Sequence, residues 1–351
     1  MKQQCEELRY KEVGTLLASD AEARDYFGTS ATVEGTRLVV GAACQDSLAT
    51  DAGKVYVYNW DGSAYIEVGQ LTASDAQAYD YFGKSVAVFG NRLVVGADGK
   101  ATAGLNAGKV YVYDWNSVTY TYDEVTTVTA SDTRTYEYFG MSIALSGDRL
   151  VVGATGEDIS GLNAGKVYVY DWNSTTSVYD EVLQLTASDA QDHDWFGVSV
   201  ALSGDGNRLV VGAHGVDTAG VNAGKVYAYD WNGTTSVYDE VAQLTASDAQ
   251  DHKWHGSSVA LSGDGSRLVV GACGADTPGV EAGKVYVYGW NSDTSVYDEV
   301  AQLTASDAQA SAWFGRSATV DGDRLVVGAC GDDTTEPAAG KVYIYDWSGV
   351  E

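Results

Sequence analysis

The chain is short of several things that proteins of its size use freely. Proline occurs twice in 351 residues, beside 41 glycines and a hydrophobic content of 45%. That balance fits a well-cored chain full of tight turns and argues against disorder. Basic side chains number 21 against 49 acidic ones, a formal net charge of −28, and no Lys/Arg cluster offsets it. Such a field repels phosphate backbones and anionic lipid, so neither nucleic acid nor an anionic membrane surface is an expected partner. An acidic surface means solubility first, and a cationic partner or divalent ions only second. The few cysteines, Cys5, Cys44, Cys273 and Cys330, follow no period and form no Cys-x-x-Cys pair, so buried or half-buried free thiols are expected. No apolar run reaches the length of a membrane helix, and Met1 to Lys11 is polar, without a signal-peptide core. The sequons at Asn173 and Asn232 are weak pointers to secretion. Catalytic signatures are missing as well: no nucleophile elbow, HExxH, Walker loop or dinucleotide fingerprint is present, and no enzyme is expected.

What is present is repetition. Phe-Gly-x-Ser, Arg-Leu-Val-Val-Gly-Ala and Gly-Lys-Val-Tyr-x-Tyr recur six times, and the first glycine falls at Gly28, Gly83, Gly140, Gly197, Gly256 and Gly315. The spacing is 55, 57, 57, 59 and 59 residues. A period this regular marks one supersecondary unit stacked on its neighbours. The unit reads as strands throughout. Val178 to Leu185 alternates, Val198 to Leu202 alternates small and apolar residues, Arg208 to Ala213 is continuously apolar, and Lys225 to Trp231 alternates strictly. The segments between them are turn chemistry, and no amphipathic helix occurs.

A continuous Leu-Val-Val run needs apolar neighbours on both faces of its sheet. Four-stranded antiparallel sheets stacked radially supply them, so the fold class is all-β, a six-bladed β-propeller spanning 1–351 as one domain. The alternative is a fragment of a seven-bladed ring. Small residues after Phe-Gly, such as Ser30 and Ser142, suit the crowded innermost strand. Leu8 to Asp20 repeats the pattern of Val178 to Asp189 before the first Phe-Gly, while the last copy stops at Trp347 without that strand. The N-terminal strand is therefore expected to complete the sixth blade. Tyr56, Tyr58 and Trp60, repeated through Tyr343, Tyr345 and Trp347, read as packing between blades rather than as six sugar platforms. The recurrent Asp20, Asp75, Asp132, Asp189, Asp248 and Asp307 read as turn or capping residues.

Tyr81-Phe82-Gly83, Leu93-Val94-Val95-Gly96-Ala97 and Gly108-Lys109-Val110-Tyr111 resemble FG-GAP repeats, the units of the integrin α-subunit propeller and of related secreted and cell-surface proteins. The resemblance covers nearly the whole chain. It implies a non-catalytic recognition propeller at the cell surface or outside the cell, acting in adhesion on a protein or glycoprotein ligand. A carbohydrate-binding lectin with pockets between blades is the alternative, and a monomer is expected. The chain departs from the family where Ala43, Asp98, Thr155, His214, Cys273 and Cys330 stand in place of the proline of Gly-Ala-Pro. The calcium loop of some relatives has no counterpart in turns as short as Ser146-Gly147-Asp148, so no cofactor is expected beyond weak Ca²⁺ binding by acidic loops such as Gly331-Asp332-Asp333.

Shared residues belong first to the scaffold, so a site is sought where copies differ. The loop entering each blade and the loop between its second and third strands emerge on one face. All four histidines fall in two adjacent units there: His193, His214, His252 and His255. Trp195, Trp254 and Trp313 replace the tyrosine of earlier copies, and Asp194 and Asp251 lie beside them. These nine residues form the expected ligand patch.

Overall fold

The computed structural model describes residues 10–158, 161–276, 279–334 and 337–347, so Cys5 lies outside the described residues. Its regular elements are all strands, gathered into six four-stranded antiparallel sheets. Among the described residues no helix is long and apolar enough to cross a membrane. In the first blade, Phe27–Glu34, Arg37–Ala42, Lys54–Trp60 and Tyr65–Leu71 cross the sheet in chain order. Leu38, Val39 and Val40 are fully buried because both faces of their strand meet other blades. The apolar clusters accordingly straddle blades: Val94, Val110 and Val112 of the second pack with Leu150, Val152 and Tyr168 of the third. The tyrosine stripe belongs to this scaffold, since Tyr56 is buried against Phe27 in an edge-on contact with centroids 5.4 Å apart.

The repeated phrase turns out to be the seam between blades. The Phe-Gly-x-Ser strand is innermost, and the six copies together line the axial channel. Ser30 Oγ donates to the Gly83 carbonyl of the next blade at 2.8 Å, and Ser85, Ser142, Ser199 and Ser258 do the same to Gly140, Gly197, Gly256 and Gly315. Ser317 closes the circle on Gly28 at 2.9 Å. The glycine of Leu-Val-Val-Gly-Ala permits this approach: a Cβ on Gly153 would meet the Gly197 carbonyl oxygen at 2.0 Å. A second ring runs outside the first. Arg92 lies over Trp172 of the next blade at 3.8 Å, and the ring closes with Arg324 over Trp60 at 4.4 Å.

Tyr10–Leu16 pairs antiparallel with Lys341–Trp347, so the first strand completes the sixth blade, and six blades close the ring without a seventh. The recurrent aspartates do more than turn the chain. Asp132 accepts from Lys166 Nζ at 2.8 Å and Tyr168 Oη at 2.8 Å, and its five counterparts hold the equivalent lysine and tyrosine. Although desolvation opposes ionisation, these hydrogen bonds and the lysine charge keep the Asp132 carboxyl below its ordinary range.

Candidate functional site

Two loops from adjacent blades zip together across each seam. His193, Trp195 and Phe196 donate their backbone N–H groups to the carbonyls of Leu162, Asn163 and Ala164, at 2.7, 3.2 and 2.8 Å. Those bonds hold His193 (φ 66°) and Trp195 (φ 54°) in the left-handed region, which bulky side chains rarely adopt. Trp254 (φ 56°) and Trp313 (φ 54°) stand in the same conformation one and two blades on. The backbone thus fixes where all three indoles project.

Trp195, Trp254 and Trp313 line one cavity of about 350 Å³ together with His214, Asn222, Ser257, Cys273 and Arg316. Ser257 and Arg316 also line the axial channel, so the cavity opens at the channel mouth. The His214 ring lies 5.0 Å from that of Trp195 and 6.4 Å from that of Trp254. Its Nδ1 is buried with no hydrogen-bond partner among the described residues. Burial, reinforced by the positive charges of Arg316 and Lys84, holds the imidazole neutral with its pKa lowered to about 3. Trp313 Nε1 donates to Glu281 at 3.2 Å, and Ser257 Oγ accepts from the Cys273 N–H at 3.3 Å. Cys273 and Cys330 are buried free thiols and Cys44 is half-buried. Burial pushes the Cys330 thiol up to about 11, away from thiolate chemistry.

Of the nine expected patch residues, the cavity gathers Trp195, His214, Trp254 and Trp313. His193 and His252 are exposed beside it, and His193 Nδ1 lies 3.4 Å from Asn163 Nδ2. Asp194 is buried, accepts the Gln191 N–H at 2.7 Å, and has its pKa raised by desolvation. Asp251 accepts the Val221 N–H at 3.0 Å and ties two loops together. His255 requires a correction. It is wholly buried rather than on the loop face, because it replaces the core phenylalanine and packs edge-on against Tyr286 at 5.3 Å. Sequence reasoning passed over Lys84, Ser257 and Arg316, although all three occupy the variable position of Phe-Gly-x-Ser.

Among the described residues no group of three or more His, Cys, Asp or Glu side chains is arranged to hold a metal ion. In the acidic loop Gly331–Asp333, Asp332 accepts from Thr334 and Asp333 accepts the Ala338 N–H at 2.7 Å, so both carboxylates serve their own loop. On the opposite face a groove of about 620 Å³ runs between the fourth and fifth blades, with Asp205, Asn207, Trp231, Asp264 and Trp290 among its walls.

The FG-GAP repeat matches six segments, 10–58, 62–113, 122–170, 179–229, 238–288 and 297–345. A similar solved structure is the crystal structure of a protein from Lactobacillus plantarum, 18% identical, covering 87% of this chain and 78% of its own, with a TM-score of 0.53. That likeness extends to the fold alone. No curated protein matches. With six repeats matched in register with six blades, the chain belongs to the FG-GAP repeat family.

Proposed function

We propose that this propeller is a non-catalytic recognition module that binds a protein or glycoprotein through the face carrying the Trp195–Trp254–Trp313 cavity. One observation carries the reading. Three successive blades replace the tyrosine of Tyr26, Tyr81 and Tyr138 with tryptophan, and an apolar-walled cavity of about 350 Å³ opens where the three indoles meet. Concave apolar sites with a few polar groups are the usual form of a binding site, and half-buried indoles are the usual anchors of an interface. The sixfold recurrence of serine and aspartate is absorbed by seams and loops, which supports binding rather than catalysis. A cell-surface or extracellular location and action as a monomer in adhesion belong to the same proposal.

The experiment is affinity capture from native surface extract or medium, followed by binding measurements on the captured partner. Replacing Trp195 and Trp254 together by Ala is expected to weaken binding about 100-fold, as loss of two anchors would. Undiminished binding by that variant would refute the reading. Carbohydrate recognition is the second reading, favoured by the groove with Trp231 and Trp290 among acids and an amide. It ranks lower because Arg208 already covers one face of Trp290 at 3.9 Å. Multivalent glycan-array binding that survives loss of Trp195 and Trp254 but not of Trp231 would favour it.

A further inference from the structure

We propose that the cavity at the channel mouth is selective for a carboxylate borne on a flat apolar body, the carboxylate meeting Arg316 and Lys84 and the body lying against Trp195, Trp254 and Trp313. The inference rests on the reading of this face as the binding face and names the chemistry it accepts.

The charge pattern is the starting point. In a chain of net charge −28, many cations are engaged: Lys100 with Asp80 at 2.9 Å, Lys166 with Asp132 at 2.8 Å, Arg92 with Asp114 at 2.8 Å. Lys84 and Arg316 differ. Both are half-buried, and neither has a side-chain hydrogen bond or ion pair with any described residue. They occupy the same position in the second and sixth blades, on either side of Thr29, where Met141, Val198 and Ser257 are neutral. Arg316 walls the cavity itself, and Lys84 lines the axial channel into which the cavity opens, so two cations serve one sector of the channel mouth inside an acidic molecule. Their fields overlap, since both act on the buried His214, Asp98 and Cys330. Asp98 does not neutralise them by contact: it makes no ion pair with either, its Oδ1 is buried without a partner, and desolvation raises its pKa.

The walls supply the remaining requirements. Ser257 is buried, its oxygen accepts the Cys273 N–H through one lone pair, and its own proton is left to donate. The neutral imidazole of His214 offers a partnerless Nδ1. Three indoles and Cys273 provide the apolar surface. A planar guanidinium beside these groups suits a carboxylate, which accepts two parallel N–H bonds. A bare cation would meet two like charges there, so the indoles do not make a cation cage.

Such a carboxylate can belong to a free small acid or to the C-terminal residue of a partner. The test uses the whole chain and titration calorimetry with 3-phenylpropionate, its uncharged amide and the corresponding amine. The carboxylate is expected to bind about tenfold or more tightly than the amide, and the amine not at all. Arg316→Met is expected to remove that tenfold preference while leaving amide binding intact, and Lys84→Met to reduce it. Retained thermal unfolding midpoints show that both variants fold. A peptide ending in Phe, with a free or an amidated carboxyl, separates the sources. Preference for the free end over 3-phenylpropionate identifies a chain terminus, and the reverse identifies a small acid. Equal binding of the three probes, absence of binding, or an Arg316→Met variant that keeps the preference would each overturn the proposal. Should the probes fail while Trp195/Trp254 replacement still abolishes partner capture, the anion inference falls and the binding face stands.

Discussion

Phenylalanine heads the innermost strand in five blades, and His255 takes its place in the fifth. The imidazole is fully buried, and its Nε2 lies 2.9 Å from the Tyr288 hydroxyl while Nδ1 has no partner among the described residues. It gives Tyr288 a partner that Tyr58, Tyr113 and Tyr229, facing phenylalanines, lack among those residues. The cost lies in protonation. Burial lowers the folded-state pKa from the ordinary 6.5 to about 3. Between those values the unfolded chain takes up a proton that the fold refuses, so stability is fully present above pH 6.5 and drains away as pH falls toward 3. The slope reaches about 1.4 kcal/mol per pH unit for one such group. His214 adds a second contribution of the same sign. Asp25, whose pKa is raised to about 6 by burial, acts in the opposite direction and partly offsets them. Replacing His255 with Phe isolates its share. Relative to the unaltered chain, the variant should gain about 2 kcal/mol of stability between pH 7.5 and pH 5.0. Denaturant unfolding at the two pH values measures this, and parallel behaviour of the two proteins would contradict it.

At the level of strands, the second and third are registered so that an arginine faces an aspartate in four of the six blades. Arg92, Arg149, Arg208 and Arg324 grip Asp114, Asp171, Asp230 and Asp346 through two nitrogens each, at 2.7–3.1 Å. The same guanidiniums lie over the next blade's tryptophan, so one arginine links a hairpin to a seam. In the first blade Asn59 stands opposite Arg37. Arg37 keeps the bond to the next blade's tyrosine that Arg149, Arg208 and Arg324 also make, here to the Tyr122 hydroxyl at 2.7 Å, but its Nε is buried with no partner among the described residues. Asn59→Asp restores the carboxylate. The expected gain is about 0.5–1 kcal/mol, limited by solvent because the acidic partner in other blades is more than a third exposed. Thermal unfolding should show a higher midpoint whose increment shrinks in 1 M salt, roughly where the Debye length falls to about 3 Å. An unchanged or lower midpoint would contradict the pairing. Strands were legible in the sequence because alternation and the Leu-Val-Val run are local signals. The Arg–Asp pairing was not, since it spans 22 residues and depends on strand register across the intervening loop. The sixfold aspartates were legible as turn residues but not as anchors for a related reason: a turn is visible locally, whereas the lysine and tyrosine they hold lie 34 to 38 residues on.

Over the whole molecule, closure was legible because the strand missing from the last copy stands before the first. The site was legible only in part. Repetition makes a replaced tyrosine conspicuous, which exposed the three tryptophans, but Lys84 and Arg316 sit where every copy differs, and only the ring brings them together. His255 was placed on the wrong side because its neighbours, and not its own position in the Phe-Gly pair, guided the reading. Closure itself has two separable parts. The seam between the sixth and first blades holds through Ser317 to Gly28, Arg324 over Trp60, and a cluster joining Val326, Val342 and Ile344 to Phe27, Leu38 and Val40. Independently, Tyr10–Leu16 covers the edge of Lys341–Trp347. Deleting residues 1–16 leaves the seam and bares a strand edge, which invites pairing with another copy. The truncated chain should keep its β-rich spectrum, unfold at a lower temperature, and associate with rising concentration in light scattering. Ser317→Ala should instead cost about 1–3 kcal/mol, through the buried Gly28 carbonyl it strands, with no association. If the deletion remains monodisperse at high concentration, or the serine variant aggregates as the deletion does, edge and seam are not the separate locks described.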